Sequence, residues 1–209
     1  MNNKTKNIIK WVLCAVAAIL SIIIAINIKN GKILDFDLKI YQFFKSNIIN
    51  DKLTPIVKVI THIGGAKIVI ALSILAIILI KGVKNKLFIL TGVVGTAGLN
   101  VILKHIIQRE RPNINRLIPE KGYSFPSGHA MMSMAFYGML IFLIFKYVKN
   151  TALKWTLIVV LTILLATIGM TRIYLGVHYP SDVIGGFLVS LTYLFILTEI
   201  YNRIKIEEK

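Results

Sequence analysis

Acidic residues are scarce in this chain. Its 209 residues hold 9 Asp and Glu against 25 Lys and Arg, for a net charge of +16. A site built on clustered carboxylates therefore has little to draw on, and two-metal hydrolytic chemistry needs several such ligands in one place. The single cysteine, Cys14, lies inside the first apolar run. It excludes an intrachain disulfide, has no metal-ligand neighbour, and reads as a small packing or lipid-facing residue. Low-complexity linkers and internal repeats are also missing. One domain over residues 1–209 is expected, with its motif-bearing core at about 60–200. Charged residues make up only 16% of the chain, whereas 56% are hydrophobic and the mean hydropathy is +0.74. A soluble domain of this size does not need so large an apolar excess.

What the chain does have is apolar runs of membrane-crossing length, about 20 residues per helix. Six spans are expected, at Ile8–Ile28, Ala66–Ile80, Leu87–Ile107, Ser127–Val148, Leu153–Thr171 and Ser181–Tyr201. The second is the shortest and could begin earlier, near Ile56. The N-terminal MNNKTKNIIK followed by an apolar stretch has the outline of a signal peptide. No small-x-small cleavage site follows, so it is taken as an uncleaved first helix. The fold class expected is all-α: a polytopic six-transmembrane-helix bundle.

The basic residues sit mainly between these runs. Lys4, Lys6 and Lys10 precede the first span, and Lys81, Lys84 and Lys86 fill the second turn. Lys146, Lys149 and Lys154 fill the fourth, and Arg203, Lys205 and Lys209 follow the last span. With six spans these segments share one face, which the positive-inside rule makes cytoplasmic. The opposite face carries a comparable number of basic residues, many of them in the polar clusters below. Nucleic-acid binding is not expected, because no basic stripe is interleaved with exposed aromatics.

The segment Asp35–Ile49 is too polar to span. Phe36, Ile40, Phe43, Phe44 and Ile48 fall near one helical face, with Lys39, Gln42, Lys45 and Ser46 largely elsewhere. Two readings stand: a short helix lying on the outer leaflet, or one packed across the top of the bundle.

Three polar clusters interrupt the apolar chain, and six spans bring all three to one membrane face. The first, Lys104 to Pro112, sets Lys104 about two turns before Arg111 at the end of span three; Pro112 is expected to end that helix. Interfacial snorkelling would also explain a Lys and an Arg here. The second, Pro126-Ser127-Gly128-His129, opens span four. A helix N-terminus with free N–H groups and a Gly is a ready anion site, and His129 sits just inside it. The third runs from Thr171 and Arg172 through His178 to Asp182, with Pro180 starting the last helix. Asp182 can accept a hydrogen bond from one His178 nitrogen and leave the other as a free lone pair. A His–Asp pair that merely caps span six is the plain alternative. Ionisable residues near a membrane core are functional candidates by default. Together these residues offer cations for an oxyanion, two imidazoles and an orienting carboxylate.

The pattern Lys104-x6-Arg111-Pro112, Pro126-Ser127-Gly128-His129 and Thr171-Arg172-x5-His178-x3-Asp182 resembles the type 2 phosphatidic acid phosphatase superfamily, whose site is shared with vanadium haloperoxidases. The one departure is Thr171, where the family usually has Ser. The resemblance implies that His178 attacks phosphorus, that Asp182 orients it, and that His129 protonates the leaving oxygen and then activates water. It assigns the phosphate oxygens to Lys104, Arg111, Ser127, Gly128 and Arg172. It implies no cofactor and no metal.

The function expected is a membrane lipid phosphatase acting on a phosphomonoester or diphosphate through a phosphohistidine, with a phosphorylated lipid substrate and membrane lipids as partners. Phosphatidylglycerophosphate, phosphatidate, diacylglycerol diphosphate and undecaprenyl diphosphate all fit. The location expected is a bacterial plasma membrane, with both termini cytoplasmic and the site extracytoplasmic. A lipid-binding or transport protein that keeps the phosphate site without turnover is the alternative. Soluble haloperoxidase chemistry is disfavoured by the six spans. Of the remaining polar residues, His105 projects about 100° from Lys104 and reads as structural. His62 is placed to touch a headgroup. Arg109, Glu110, Arg116 and Lys121 are expected to tune substrate choice from a loop over the site. Gly92, Gly95 and Gly98 are spaced for close helix packing.

Overall fold

The computed structural model describes residues 2–32, 34–113 and 115–204. These form eight helices: α1 (Asn3–Lys29), α2 (Asp35–Asn47), α3 (Leu53–Ile63), α4 (Ala66–Leu79), α5 (Val83–Ile107), α6 (Gly128–Tyr147), α7 (Thr151–Tyr174) and α8 (Pro180–Arg203). Among the described residues there is no strand. Five helices are long and apolar enough to cross a bilayer, and α3 with α4 forms a sixth crossing bent by 46°. The short second run thus gains its length from α3, where an earlier start was expected, but as a separate helix. The bend falls at Gly64 and Gly65. Gly64 lies so close to the Ile168 side chain that a Cβ there would collide with it.

Local chemistry sets several helix ends. The Asn2 side chain accepts from Thr5 N–H at 2.8 Å to start α1, and Asn150 accepts from Leu153 N–H at 2.9 Å to start α7. Pro180 is the first residue of α8, where its missing N–H costs nothing. One expectation fails: Pro112 does not end α5. That helix stops at Ile107, because Gln108 adopts a left-handed conformation (φ 52°) and returns its N–H to the Lys104 carbonyl.

Helix α6 is the hub, packed against α4, α5, α7 and α8. Small and flexible residues line it, including Ala130, Ser133, Ala135, Gly138 and Met139, all buried. Gly92 meets Met139 and Gly95 meets Tyr193 in contacts too close for a Cβ, so both are packing glycines. Gly98 faces open space and is not. Helix α1, by contrast, leaves Ile8, Val12, Ile19, Ile22 and Ile26 exposed and touches chiefly α8. An apolar surface of that extent belongs against lipid.

Lys10 pairs with Glu199 at 3.0 Å, so α1 begins beside the end of α8. Lys84 and Lys146 both stack on the Tyr201 ring at this same end. Lys205 and Lys209 lie outside the described residues, as do the side chains of Lys4 and Lys6. Helix α2 sits at the opposite end, packed on α7 and α8. Its buried residues are Asp37 and Tyr41, Ile40 and Phe44 pack beside them, and Phe43 faces outward.

Candidate active site

All three polar clusters meet at the α2 end of the bundle. His178 lies just before α8, 2% exposed. Its Nε2 is 3.1 Å from Arg111 Nη1, and its Nδ1 is 3.5 Å from Asp182 Oδ2. A guanidinium can only donate, so Nε2 is the acceptor and carries the lone pair. The ring proton is therefore on Nδ1, facing Asp182. Burial pushes the His178 pKa down to about 4, against the opposing pull of Asp182. The imidazole is thus neutral at ordinary pH and its tautomer is set.

Asp182 is held from several sides. Its Oδ2 accepts from the Ser124 hydroxyl in a short hydrogen bond and from Tyr179 N–H at 2.8 Å. Its Oδ1 accepts from Arg109 Nη1 at 2.6 Å. The same Nη1 donates to Ser181 Oγ at 2.7 Å, and Arg109 Nη2 donates to Asp37 Oδ2 at 2.9 Å. Asp37 in turn accepts from Ser181 N–H at 2.7 Å and from its hydroxyl at 2.5 Å. Tyr179 lies under the Arg109 guanidinium, 4.0 Å from ring centroid to its carbon. Asp37 and Asp182 are both 0% exposed, so one arginine joins two fully buried carboxylates. Arg109 belongs to the loop after α5, as expected, but it does not lie over the site. It is a buried brace, and it ties α2 to the start of α8.

The remaining predicted residues surround His178 unevenly. Arg111 is buried; besides His178 it donates to the carbonyls of Val177, Gly122 and Lys121. Arg172, in the last turn of α7, is 1% exposed. Its Nη1 donates to Thr61 Oγ1 at 2.8 Å, its Nη2 pairs closely with Glu120, and its Nε has no hydrogen-bond partner. Glu120 also lies 3.9 Å from Arg111 Nη2, so its carboxylate spans two of the cradle arginines. Lys104 is one step removed: its ammonium donates to the Tyr123 carbonyl at 2.6 Å.

Ser127 caps α6, and its hydroxyl accepts from Ala130 N–H. Its own N–H donates to the Asp182 carbonyl, which pins the start of α6 to α8. The amides of Gly128 and His129 follow as first-turn N–H groups that a helix cannot satisfy internally. Gly128 is also where α6 meets Asn100 of α5, whose amide donates to the Pro126 carbonyl. The Phe125–Pro126 bond is cis. The Thr171 hydroxyl donates to the Ile168 carbonyl and is spent on its own helix. His105 is exposed and bonded to the Val101 carbonyl, as a structural residue would be.

No hydrogen bond joins His129 to His178 among the described residues. His129 lines a cavity of about 610 Å³ with Arg172, Glu120 and Thr61, bordered by the bend between α3 and α4. His62 lines it too, with Lys58 and Lys67. Among the described residues, no group of three or more His, Cys, Asp or Glu gathers as a metal site.

Sequence reasoning missed Asp37, Ser124, Glu120, Thr61 and Asn100. Only Asp37 carried a usable signal, a carboxylate on the apolar face of an amphipathic helix. The others come from loops or span interiors and reach the site only through the fold.

Comparison with known proteins identifies the family and the fold. The PAP2 superfamily model matches residues 85–206. The chain is similar to phosphatidylglycerophosphatase B of Bacillus subtilis, 33% identical over 108 residues, covering 51% of this chain and 53% of that protein. That match spans only about half of the relative's length. It is also similar to undecaprenyl-diphosphatase BcrC of the same organism, 30% identical over 170 residues, covering 75% of this chain and 81% of that one. The crystal structure of a transmembrane PAP2 type phosphatidylglycerolphosphate phosphatase from Bacillus subtilis superposes with a TM-score of 0.82 over 93% of this chain and 98% of that one, at 24% identity, and so shares the fold. With helices long and apolar enough to cross a membrane and a family model matching more than half its length, this chain belongs to the PAP2 superfamily.

Proposed function

We propose that this protein is an integral-membrane lipid phosphatase, one domain that hydrolyses a lipid phosphomonoester or diphosphate through a phosphohistidine. The observation that carries this is the fixed tautomer of His178, a buried neutral imidazole with its lone pair on Nε2 beside Arg111. In the first step Nε2 attacks phosphorus and an N–P bond forms. The P–O bond to the lipid breaks, and the leaving oxygen takes a proton from His129. Asp182 stabilises the positive charge that grows on the His178 ring. In the second step neutral His129 takes a proton from water as its oxygen attacks phosphorus. The P–N bond then breaks and inorganic phosphate is released.

Charge spreads over the phosphoryl oxygens during transfer, and fixed cations there do most of the catalytic work. Arg111 and Arg172 supply them, with the first-turn amides of α6 and with Lys104 once its carbonyl contact is exchanged. Glu120 acts as a stand-in anion, neutralising the arginines until a phosphate replaces it.

The relatives' names nominate phosphatidylglycerophosphate and undecaprenyl diphosphate as substrates, with phosphatidate as a simpler third. The site faces the extracytoplasmic side of a bacterial plasma membrane and both termini are cytoplasmic. The support is the lysine-rich end of the bundle, where Lys10, Lys84 and Lys146 gather opposite the site.

The test is phosphate release from these lipids by purified protein in detergent, with and without EDTA. Release is expected with EDTA present and is expected to fall at least about a thousandfold in His178→Ala. Unchanged release by that variant, or loss of release with EDTA, would overturn the mechanism.

A further inference from the structure

The reaction runs in line, so the leaving oxygen departs on the side of phosphorus away from His178. His178 is buried and lines no wall of the 610 Å³ cavity, whereas His129 and Arg172 both do. The group that leaves must therefore lie in this cavity, and the cavity's outer wall meets it.

That wall is basic. Lys58 and His62 are one turn apart on the same face of α3, and Lys67 is in the first turn of α4. All three are exposed, and none has a hydrogen bond or ion pair among the described residues. They differ in this from Arg109, Arg111 and Arg172, which are all paired. The wall also stands close to the chemistry. A Cβ at Gly65, in the bend, would lie 3.5 Å from His129 Nε2. A group one bond beyond the oxygen that His129 protonates therefore reaches the bend. Ile68 and Ile118 add apolar lining to the same cavity, as a lipid chain requires.

We infer that Lys58, His62 and Lys67 form a second anion subsite, which selects lipids whose leaving group carries its own phosphate, above all diphosphates. This rests on the phosphatase reading and adds the substrate class to it. The cradle around His178 holds the phosphoryl group that is transferred, and the bend between α3 and α4 holds the phosphate that stays on the lipid. A monophosphate lipid leaves the three basic side chains unused. Phosphatidylglycerophosphate presents its phosphodiester farther away, across a glycerol.

Farnesyl diphosphate and farnesyl monophosphate isolate the effect, because they differ only in the second phosphate. The measurement is the ratio of their kcat/KM values in detergent. It is expected to fall at least about tenfold in the Lys58→Ala/His62→Ala/Lys67→Ala variant and to recover in Lys58→Arg/Lys67→Arg. A parallel ratio, phosphatidylglycerophosphate to phosphatidate, identifies the source of the second phosphate. A drop there alone would transfer the subsite to the phosphodiester. If both ratios stay unchanged, the three basic side chains serve only the bilayer surface and the inference is overturned.

A binding readout separates this result from the fate of the phosphatase reading. Calorimetry on His178→Ala protein, which needs no turnover, should show pyrophosphate binding more tightly than inorganic phosphate. That preference should disappear when the three basic side chains are also replaced. Equal affinities in His178→Ala protein would overturn the subsite, and a preference that persists without the three basic side chains would as well. Wild-type protein that releases no phosphate while keeping the preference would overturn only the catalytic reading.

Discussion

Behind His178, every charge is buried and paired. Asp37, Arg109, Ser181 and Asp182 close on one another, and both carboxylates are 0% exposed. In front of His129, Lys58, His62 and Lys67 face an open cavity with no carboxylate bound to them among the described residues. One wall is satisfied before any substrate arrives, and the other is not. The satisfied wall cannot adapt, which suits residues that must aim a nucleophile. The unsatisfied wall is where binding energy is still available. Glu120 stands at the border, already neutralising Arg172 while lining the open side.

Breaking the closed wall should have the largest effects. Asp182→Asn keeps the shape but can donate to His178, which favours the wrong tautomer. Its kcat is expected to fall about a thousandfold or more, by analogy with other His–Asp pairs. A loss under tenfold in single-turnover assays would remove Asp182 from the orienting role. Arg109→Ala comes next, because it strands two buried carboxylates. The expected cost is about 3–5 kcal/mol of stability. It should appear as a lowered melting temperature in detergent, and Asp37→Ala/Arg109→Ala should recover part of it. Equal melting of wild type and Arg109→Ala would mean that the brace carries no weight.

The third prediction concerns pH. The His178 pKa is lowered from 6.5 to about 4 by burial, so its neutral form is favoured in the fold. Its contribution to stability is complete above pH 6.5 and is lost as pH falls from there toward 4. The acid limb of kcat/KM that belongs to the nucleophile should lie near pH 4. The smallest effect belongs to the border. Glu120→Gln removes the resident anion's charge, and KM should drop a few-fold with kcat changed less. A rise in KM would make Glu120 a substrate contact rather than a competitor.

Much of this protein was legible before folding. The six crossings follow from apolar runs, and the ends of α6 and α8 follow from Ser127 and Pro180. The three motifs put Arg111 and Asp182 against His178, pin Ser127 to the Asp182 carbonyl, and set His129 and Arg172 on one cavity, while Lys104 is turned to the Tyr123 carbonyl. What escaped has a common cause. Arg109 is a loop residue, but its burial was hidden because its partners, Asp37 and Ser181, are each 72 residues away. Nothing local shows that Glu120 lies between Arg111 and Arg172. The helix at Asp35–Asn47 was expected as an amphipathic element, and it is one, but its apolar face hides the carboxylate that braces the site.

The sequence by itself determined the apolar runs of membrane-crossing length and the three polar clusters on which the proposed phosphoryl transfer rests. Both depend on contiguous patterns: apolar runs long enough for a membrane, and motifs whose members lie within a turn or two of each other. Only the tertiary structure decided which charges are paired and which are open. That depends on which distant segments touch. In a chain with few acids, the placement of Asp37, Glu120 and Asp182 leaves one wall of the site closed and the other free to bind.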